Sequence, residues 1–210
     1  MDKNDEREQA GCVILADGDY PTHAIPLGIL RSAEYVCCCD RAAEAFINHG
    51  NTPSAIVGDG DSLPEELKRQ YADRLHIVNE QDYNDLTKAT RHCISQGYSH
   101  IAYLGCTGKR EDHTIGNISL MLYYMKELGI SPVMYTDHGY FIPASGTQTF
   151  KSHKGQQVSI FRGTATEFSS DGLKWDAYDY EQAWQGTLNE ALSDSFTIHS
   201  NGTYIVFLTY

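Results

Sequence analysis

The sequence predicts an α/β domain with a mostly parallel, doubly wound sheet, followed by a small antiparallel β domain. Three observations predict it. Short apolar runs alternate with helical patterns up to Thr136. Beyond Asp137 the helical period disappears and only short alternating runs remain. Acidic, glycine-containing clusters follow the apolar runs of the first part, where ligands gather at the carboxyl ends of strands in open α/β sheets.

Taken in order, Cys12 to Ala16 is a first strand, and a helical stretch lies around Ala24 to Ser32. Tyr35 to Cys39 is a second strand, and Arg41 to His49 is a helix that Gly50 stops. Ser54 to Val57 is a third strand. Ser62 then reads as an N-cap, with Pro64 in the first turn and Glu65 as its capping-box partner. After His76 to Val78 comes a helix from about Asn84 to Gln96, whose Leu86, Ala89, Cys93 and Ile94 fall at helical spacing. Ile101 to Leu104 is the next strand. His113 to Leu128 is the clearest helix, with Ile115, Ile118, Leu122 and Met125 on one face, and Val133 to Thr136 closes the series. The second part offers Gly139 to Ile142, Gln148 to Lys151, Gln157 to Phe161, Glu167 to Ser169, Phe196 to His199 and Thr203 to Leu208. Asn201-Gly202 stands between the last two and reads as a hairpin turn. This part is read as a small antiparallel sandwich or barrel. The boundary falls at about 137 to 145, giving domains of 11–138 and 139–210.

Composition narrows the function. With 210 residues and 41% apolar content, the chain can fill a core. Its net charge of −12 leaves no basic stripe for nucleic acid. A nucleotide remains possible, because carboxylates bind a small anion through Mg²⁺. No apolar run is long enough to span a membrane, and Met1 to Ala10 is charged with no apolar h-region, so it is not read as a signal peptide. A cytoplasmic setting is the expectation. The six cysteines have no zinc spacing, and Cys37 to Cys39 read as buried strand residues.

The chemistry is concentrated in three clusters: Gly58-Asp59-Gly60-Asp61-Ser62, then Asp82-Tyr83-Asn84-Asp85 with Lys88, then Gly105 to His113. Carboxylates gathered at strand ends with a Lys, an Arg and Gly-rich backbone suggest a Mg²⁺–polyphosphate site. Asp59, Asp61 and Asp85 are the candidate metal ligands, and Lys88 and Arg110 the cations that offset phosphate charge. Asp17, Asp19 and Asp40 fall on the same rim. Each Asp taken singly also fits a turn or a cap; Asp112 in particular suits the N-cap of the long helix, whose N-terminus is itself an anion site.

These residues resemble the thiamin pyrophosphokinase family over nearly the whole chain. The family's Gly-Asp-x-Asp-Ser is matched at Gly58 to Ser62, and its Asp-x-x-x-x-Asp-x-x-Lys-Ala resembles Glu80 to Ala89. Its Gly-x-x-Gly-Gly-Arg-x-Asp-His is similar to Gly105 to His113, followed by Asn117, and its late Gly-Leu-Lys-Trp stands at Gly172 to Trp175. The chain departs from the family pattern at Arg41, Glu80, Asn84 and Lys109. Lys109, replacing a glycine, adds a potential phosphate cation. The resemblance implies a Rossmann-like α/β half, a C-terminal β-sandwich and a homodimer with thiamin bound between domains of two subunits. It implies transfer of a pyrophosphoryl group from Mg-ATP to the thiamin hydroxyl. Asp40, Lys88, Arg110, Asp112, His113 and Asn117 are the expected ATP contacts, and Trp175, with Gln81, Ser169 and Ser170, the thiamin contacts.

Two rival readings compete. Val13 to Asp19 mimics the nucleophile strand of haloacid-dehalogenase-like phosphatases, but the acidic Gly58-Asp59 arrives before Lys88, the wrong order for that family. A non-catalytic nucleotide or thiamin sensor on the same fold is the other. Release of AMP separates the three readings.

Overall fold

The computed structural model describes residues 11–210. Residues 1–10, the charged opening discussed above, lie outside the described residues. The chain divides into two compact units. The first runs through Ile118 and adds Ile130–Asp137; the second takes Ser119–Gly129 and His138–Tyr210.

In the first unit, strands β1 (Cys12–Leu15), β2 (Tyr35–Cys39), β3 (Ala55–Gly58), β4 (Leu75–Ile77), β5 (His100–Leu104) and β6 (Ser131–Tyr135) alternate with helices. The helices are α1 (Ala24–Ser32), α2 (Ala42–Asn48), α3 (Glu65–Gln70), α4 (Asp85–Ser95) and the start of α5 (Glu111–Lys126). All the strand pairings here are parallel, in the order β6-β5-β1-β2-β3-β4. The apolar runs are continuous because central strands are covered on both faces: every residue of β1 and β3 is buried. The chain builds outward from β1 to β4, then returns to lay β5 on the other side of β1. The switch point of the sheet therefore lies between β1 and β5, where a ligand crevice is expected.

All six cysteines are free and buried, and burial pushes the Cys38 and Cys106 thiols up, so they serve as small apolar groups.

Two capping assignments need correction. Ser62 is not an N-cap. Helix α3 starts at Glu65 behind Pro64 with no side-chain cap, and the Ser62 N–H donates instead to Asp40 Oδ2 at 3.0 Å. A buried carboxylate outcompetes the local capping box for that donor. Glu65 pairs with Lys68 at 2.6 Å. Asp112 is not a cap either: α5 begins at Glu111, which places Asp112 inside its first turn. The apolar face expected on α5 is also different, since Ile115 is exposed and Met121 and Tyr124 are the buried residues. Asn84 does cap α4, accepting from Thr87 N–H at 3.0 Å.

The second unit is an antiparallel sandwich. One layer orders β11 (Asn189–Glu190), β9 (Gln157–Arg162), β13 (Thr203–Thr209) and β7 (Gly139–Ser145); the other orders β10 (Phe168–Asp171), β12 (Ser195–Ser200) and β8 (Gln148–Lys151). Phe150, Phe196 and Ile198 from one layer pack with Val158, Ile160, Tyr204 and Val206 from the other in one buried cluster.

Asn201-Gly202 does not close a hairpin. β12 pairs with β10 and β8, and β13 with β7 and β9, so the dipeptide carries the chain from one layer to the other. Asn201 Oδ1 accepts from Thr166 N–H at 2.9 Å and Glu167 N–H at 3.2 Å. A Cβ on Gly202 would lie 2.7 Å from backbone atoms of Ala165. The signal marks a close backbone approach at a corner. No helix among the described residues is long and apolar enough to cross a membrane.

Candidate active site

At the switch point a cleft of about 320 Å³ opens over the carboxyl ends of β1, β2 and β5. The loops that frame it are tied by backbone bonds. Gly18 N–H donates to Gly105 O at 2.6 Å and Asp19 N–H to Thr107 O at 2.8 Å. A Cβ on Gly18 would fall 2.3 Å from Thr107 O, so only glycine lets the loops meet. Lys109 Nζ from one loop meets Asp17 Oδ1 from the other at 2.7 Å.

Asp40 follows β2 and lines this cleft. It is 3% exposed, with φ at 27°, in the left-handed region that side chains seldom enter. Its Oδ2 is satisfied by Ser62, while Oδ1 is buried without a hydrogen-bond partner. Burial raises the Asp40 pKa above the ordinary carboxylate value; the Ser62 bonds oppose that rise, and the charges of Asp85 and Asp59 add to it. Strain, burial and an unsatisfied oxygen together mark a site of function.

Asp85 opens α4 and also lines the cleft, its Oδ1 3.3 Å from Lys88 Nζ. Only 3% of the Lys88 side chain is exposed, so its ammonium is committed to the interior beneath Asp85. Asp59 and Asp61 leave β3 in a tight turn in which Asp59 Oδ1 accepts from Asp61 N–H at 3.0 Å, with Gly60 at φ 79°. They do not line the cleft itself. On its far wall Arg110 reaches Asp112 through Nε at 3.1 Å and Nη2 at 2.6 Å, and this guanidinium holds the Asp112 carboxyl below the usual range. Asn117 lines the cleft and donates to Cys106 O at 2.9 Å, bracing the loop after β5.

Of the expected nucleotide-site residues, Asp40, Asp85, Arg110, His113 and Asn117 thus share one cleft. Lys88 belongs to it through Asp85, and Asp112 through Arg110. Asp17, Arg41 and Lys109 line it as well. Position on the rim was the available signal for Asp17; its ion partner lies 92 residues away and left none.

Among the described residues no group of at least three His, Cys, Asp or Glu side chains is drawn up to hold a metal ion, so Asp59, Asp61 and Asp85 do not form a ready cage. Carboxylates of like charge repel when they alone occupy a rim. The donor set nonetheless fits Mg²⁺. The ion takes one or two carboxylates and fills its shell with water and phosphate oxygens, and Asp40 Oδ1 is a hard oxygen in need of a partner.

The expected thiamin contacts fall in both units. Gln81 is exposed in the first, just before α4. In the second, Trp175 is 55% exposed, with Lys174 Nζ 4.8 Å from its ring centre. Ser169 is exposed on β10, whereas Ser170 Oγ accepts from Ala177 N–H at 2.9 Å and is thereby engaged in the local turn.

The fold and the cleft define a class: an α/β protein with a charged crevice at its switch point, carrying a β-sandwich in the same chain. The model "Thiamin pyrophosphokinase, catalytic domain" matches residues 28–131, and "Thiamin pyrophosphokinase, substrate-binding domain" matches residues 139–207. The chain belongs to the thiamin pyrophosphokinase family. It is 27% identical over 172 residues to thiamine pyrophosphokinase of Bacillus subtilis (strain 168), covering 79% of each chain. The fold is that of the Candida albicans thiamin pyrophosphokinase structure, with a TM-score of 0.79 and 16% identity, covering 94% of this chain and 89% of that one. The yeast enzyme superposes with a TM-score of 0.79 at 15% identity, over 96% of this chain and 87% of its own.

Proposed function

We propose that this chain is a thiamine diphosphokinase, transferring the pyrophosphoryl group of Mg-ATP to the thiamin hydroxyl. The observation that carries the reading is the succession of a catalytic and a substrate-binding match on one chain. The cleft supports its chemistry. The hydroxyl oxygen attacks the β-phosphorus of ATP, and an O–P bond forms as the bond to the α,β-bridging oxygen breaks. AMP leaves with that oxygen, and the hydroxyl proton passes to water. Such transfers depend on positioning and on charge neutralisation.

Asp59, Asp61 and Asp85, with the free oxygen of Asp40, are the donors that would hold Mg²⁺. The ion supplies charge neutralisation at the phosphate oxygens. Arg110 and Lys109 face the cleft as phosphate cations, and Lys88, 3.3 Å from Asp85 Oδ1, holds that carboxylate in place. His113 and Asn117 line the nucleotide side, and Asp112 steadies Arg110. Trp175 presents its ring to the pyrimidine or thiazolium of thiamin, a contact worth about 0.5–2 kcal/mol, with Gln81, Ser169 and Ser170 beside the substrate. A homodimer in the cytoplasm completes the reading, and light scattering on purified protein tests the dimer.

The phosphatase reading is not favoured, because both family matches are to thiamin pyrophosphokinase domains and Gly58-Asp59 precedes Lys88, the wrong order for that family. The test is AMP release with ATP and Mg²⁺. Release that requires thiamin supports the reading; inorganic phosphate released without thiamin, or no turnover at all, overturns it.

A further inference from the structure

Trp175 carries a more exposed ring than the core aromatics, so packing around the indole cannot by itself fix its direction. The main chain beneath it is fixed. Asn189, 7% exposed, donates from Nδ2 to Trp175 O at 2.7 Å and accepts at Oδ1 from Trp175 N–H at 3.2 Å. Both peptide groups of the tryptophan are thus held by one side chain 14 residues away. The same Oδ1 accepts from Glu190 N–H at 2.8 Å.

The clamp stands on a firm base. Asn189 pairs with Val158 of β9, and the preceding Leu188 takes φ 64° while its N–H donates to Ser159 Oγ at 3.2 Å. The neighbour of each partner repeats the link: Lys174 Nζ meets Glu190 Oε2 at 3.0 Å, which leashes the ammonium lying against the indole. A buried amide making these bonds is costly to replace, and an aromatic face held before the ligand arrives loses little entropy on binding.

We infer that Asn189 is the positioning residue of the thiamin subsite, holding the Trp175 backbone so that the exposed indole is preset for the substrate. The inference rests on the thiamin reading of Trp175. Asn189 itself touches no substrate and acts through Trp175.

The experiment has a ligand-free arm and a kinetic arm, on the full chain. The chain has two tryptophans, so Trp184→Phe leaves Trp175 as the sole indole. In that background Asn189→Ala lowers the steady-state fluorescence anisotropy of Trp175, with no substrate present. In the kinetic arm, Asn189→Ala raises the KM for thiamin about tenfold, the scale of a lost buried hydrogen bond. The KM for ATP stays within about twofold. In a Trp175→Ala background the same substitution changes the thiamin KM by less than about twofold, because the residue through which it acts is gone. Asn189→Asp, which retains the acceptor and loses the donor, falls between wild type and Asn189→Ala, and it carries the test if the alanine variant does not fold. Unchanged anisotropy overturns the clamp. Equal losses for thiamin and ATP, or a full effect persisting without Trp175, overturn its role in the subsite. A wild-type protein that releases no AMP with thiamin overturns the functional reading alone, since the anisotropy result is independent of it.

Discussion

Asp40 accepts the backbone N–H of Ser62 through Oδ2 at 3.0 Å, while its Oδ1 is buried without a hydrogen-bond partner. This half-satisfied carboxylate costs stability. Burial raises its pKa, so the folded protein binds the proton more tightly than the unfolded chain. Its contribution is therefore fully present below the unfolded value of 3.8 and is lost as pH rises through the higher folded value. Asp40→Asn keeps an oxygen for Ser62 and removes the charge. The expected outcome is a higher melting temperature than wild type at pH 7, an advantage that shrinks on acidification toward 3.8, together with loss of turnover by orders of magnitude. A less stable variant at pH 7 argues against this account; thermal melts from pH 3 to 8 decide it.

Gly58 supports Asp40 from β3. A Cβ there would lie 2.7 Å from that of Asp40, tighter than any real contact. Gly58→Ala must push Asp40 out of place, at a cost of about 1–3 kcal/mol. Activity should fall further than the loss of folded protein explains, when AMP release is normalised to the folded fraction from circular dichroism.

The turn carboxylates make a separate forecast. Asp59→Asn or Asp61→Asn should cut turnover by orders of magnitude and leave the fold intact, because both positions lie on a rim of like charges. Near-normal activity of either variant with Mg²⁺ removes it from the metal site.

Lys109 and Asp17 form an exposed pair, of the kind that contributes about 0–1 kcal/mol and exchanges partners easily. Lys109→Ala should raise the KM for ATP with little change in melting temperature, and Asp17→Asn, which frees Lys109, should lower it. High salt should narrow both differences. Movement of the thiamin KM alone in either variant runs against a phosphate role.

Trp175 is too exposed for its loss to open a core cavity. Trp175→Ala should raise the thiamin KM strongly and spare ATP, with a melting temperature near wild type, and Trp175→Phe should recover part of the loss. A drop of the size seen for a core aromatic, about 3–5 kcal/mol, with both substrates affected alike, places the indole outside the site.

The parallel sheet was legible because its strands are buried on both faces and spell continuous apolar runs, as Cys12–Leu15 and Tyr35–Cys39 do. The helix after the second strand stops just before Gly50, as expected. Asp40 and Asp85 stand out in the sequence because several acidic clusters follow strand-like runs, where one Asp alone would fit a turn or a cap, and both line the cleft. Ser62 and Asn201-Gly202 depart from expectation for a common reason: each carries a local signal that its surroundings in the fold override, whereas Asp112 departs because its helix begins one residue earlier. Asp40 takes the Ser62 N–H from 22 residues away, and Asn201 spends its side chain on Thr166 and Glu167 across the sandwich corner.

The sequence by itself determined the alternation of strand and helix, the change to β structure near Asp137, and the residues able to bear phosphate chemistry. These depend on periodicity and on residue type, which are local properties. Tertiary structure alone decided that β5 lies beside β1, which opens the cleft at their ends. It also decided that Lys109 meets Asp17, that one oxygen of Asp40 is left unpaired, and that Asn189 grips Trp175. Each of these joins groups far apart in the chain, and their energies depend on burial and distance, which exist only once the sheet has formed.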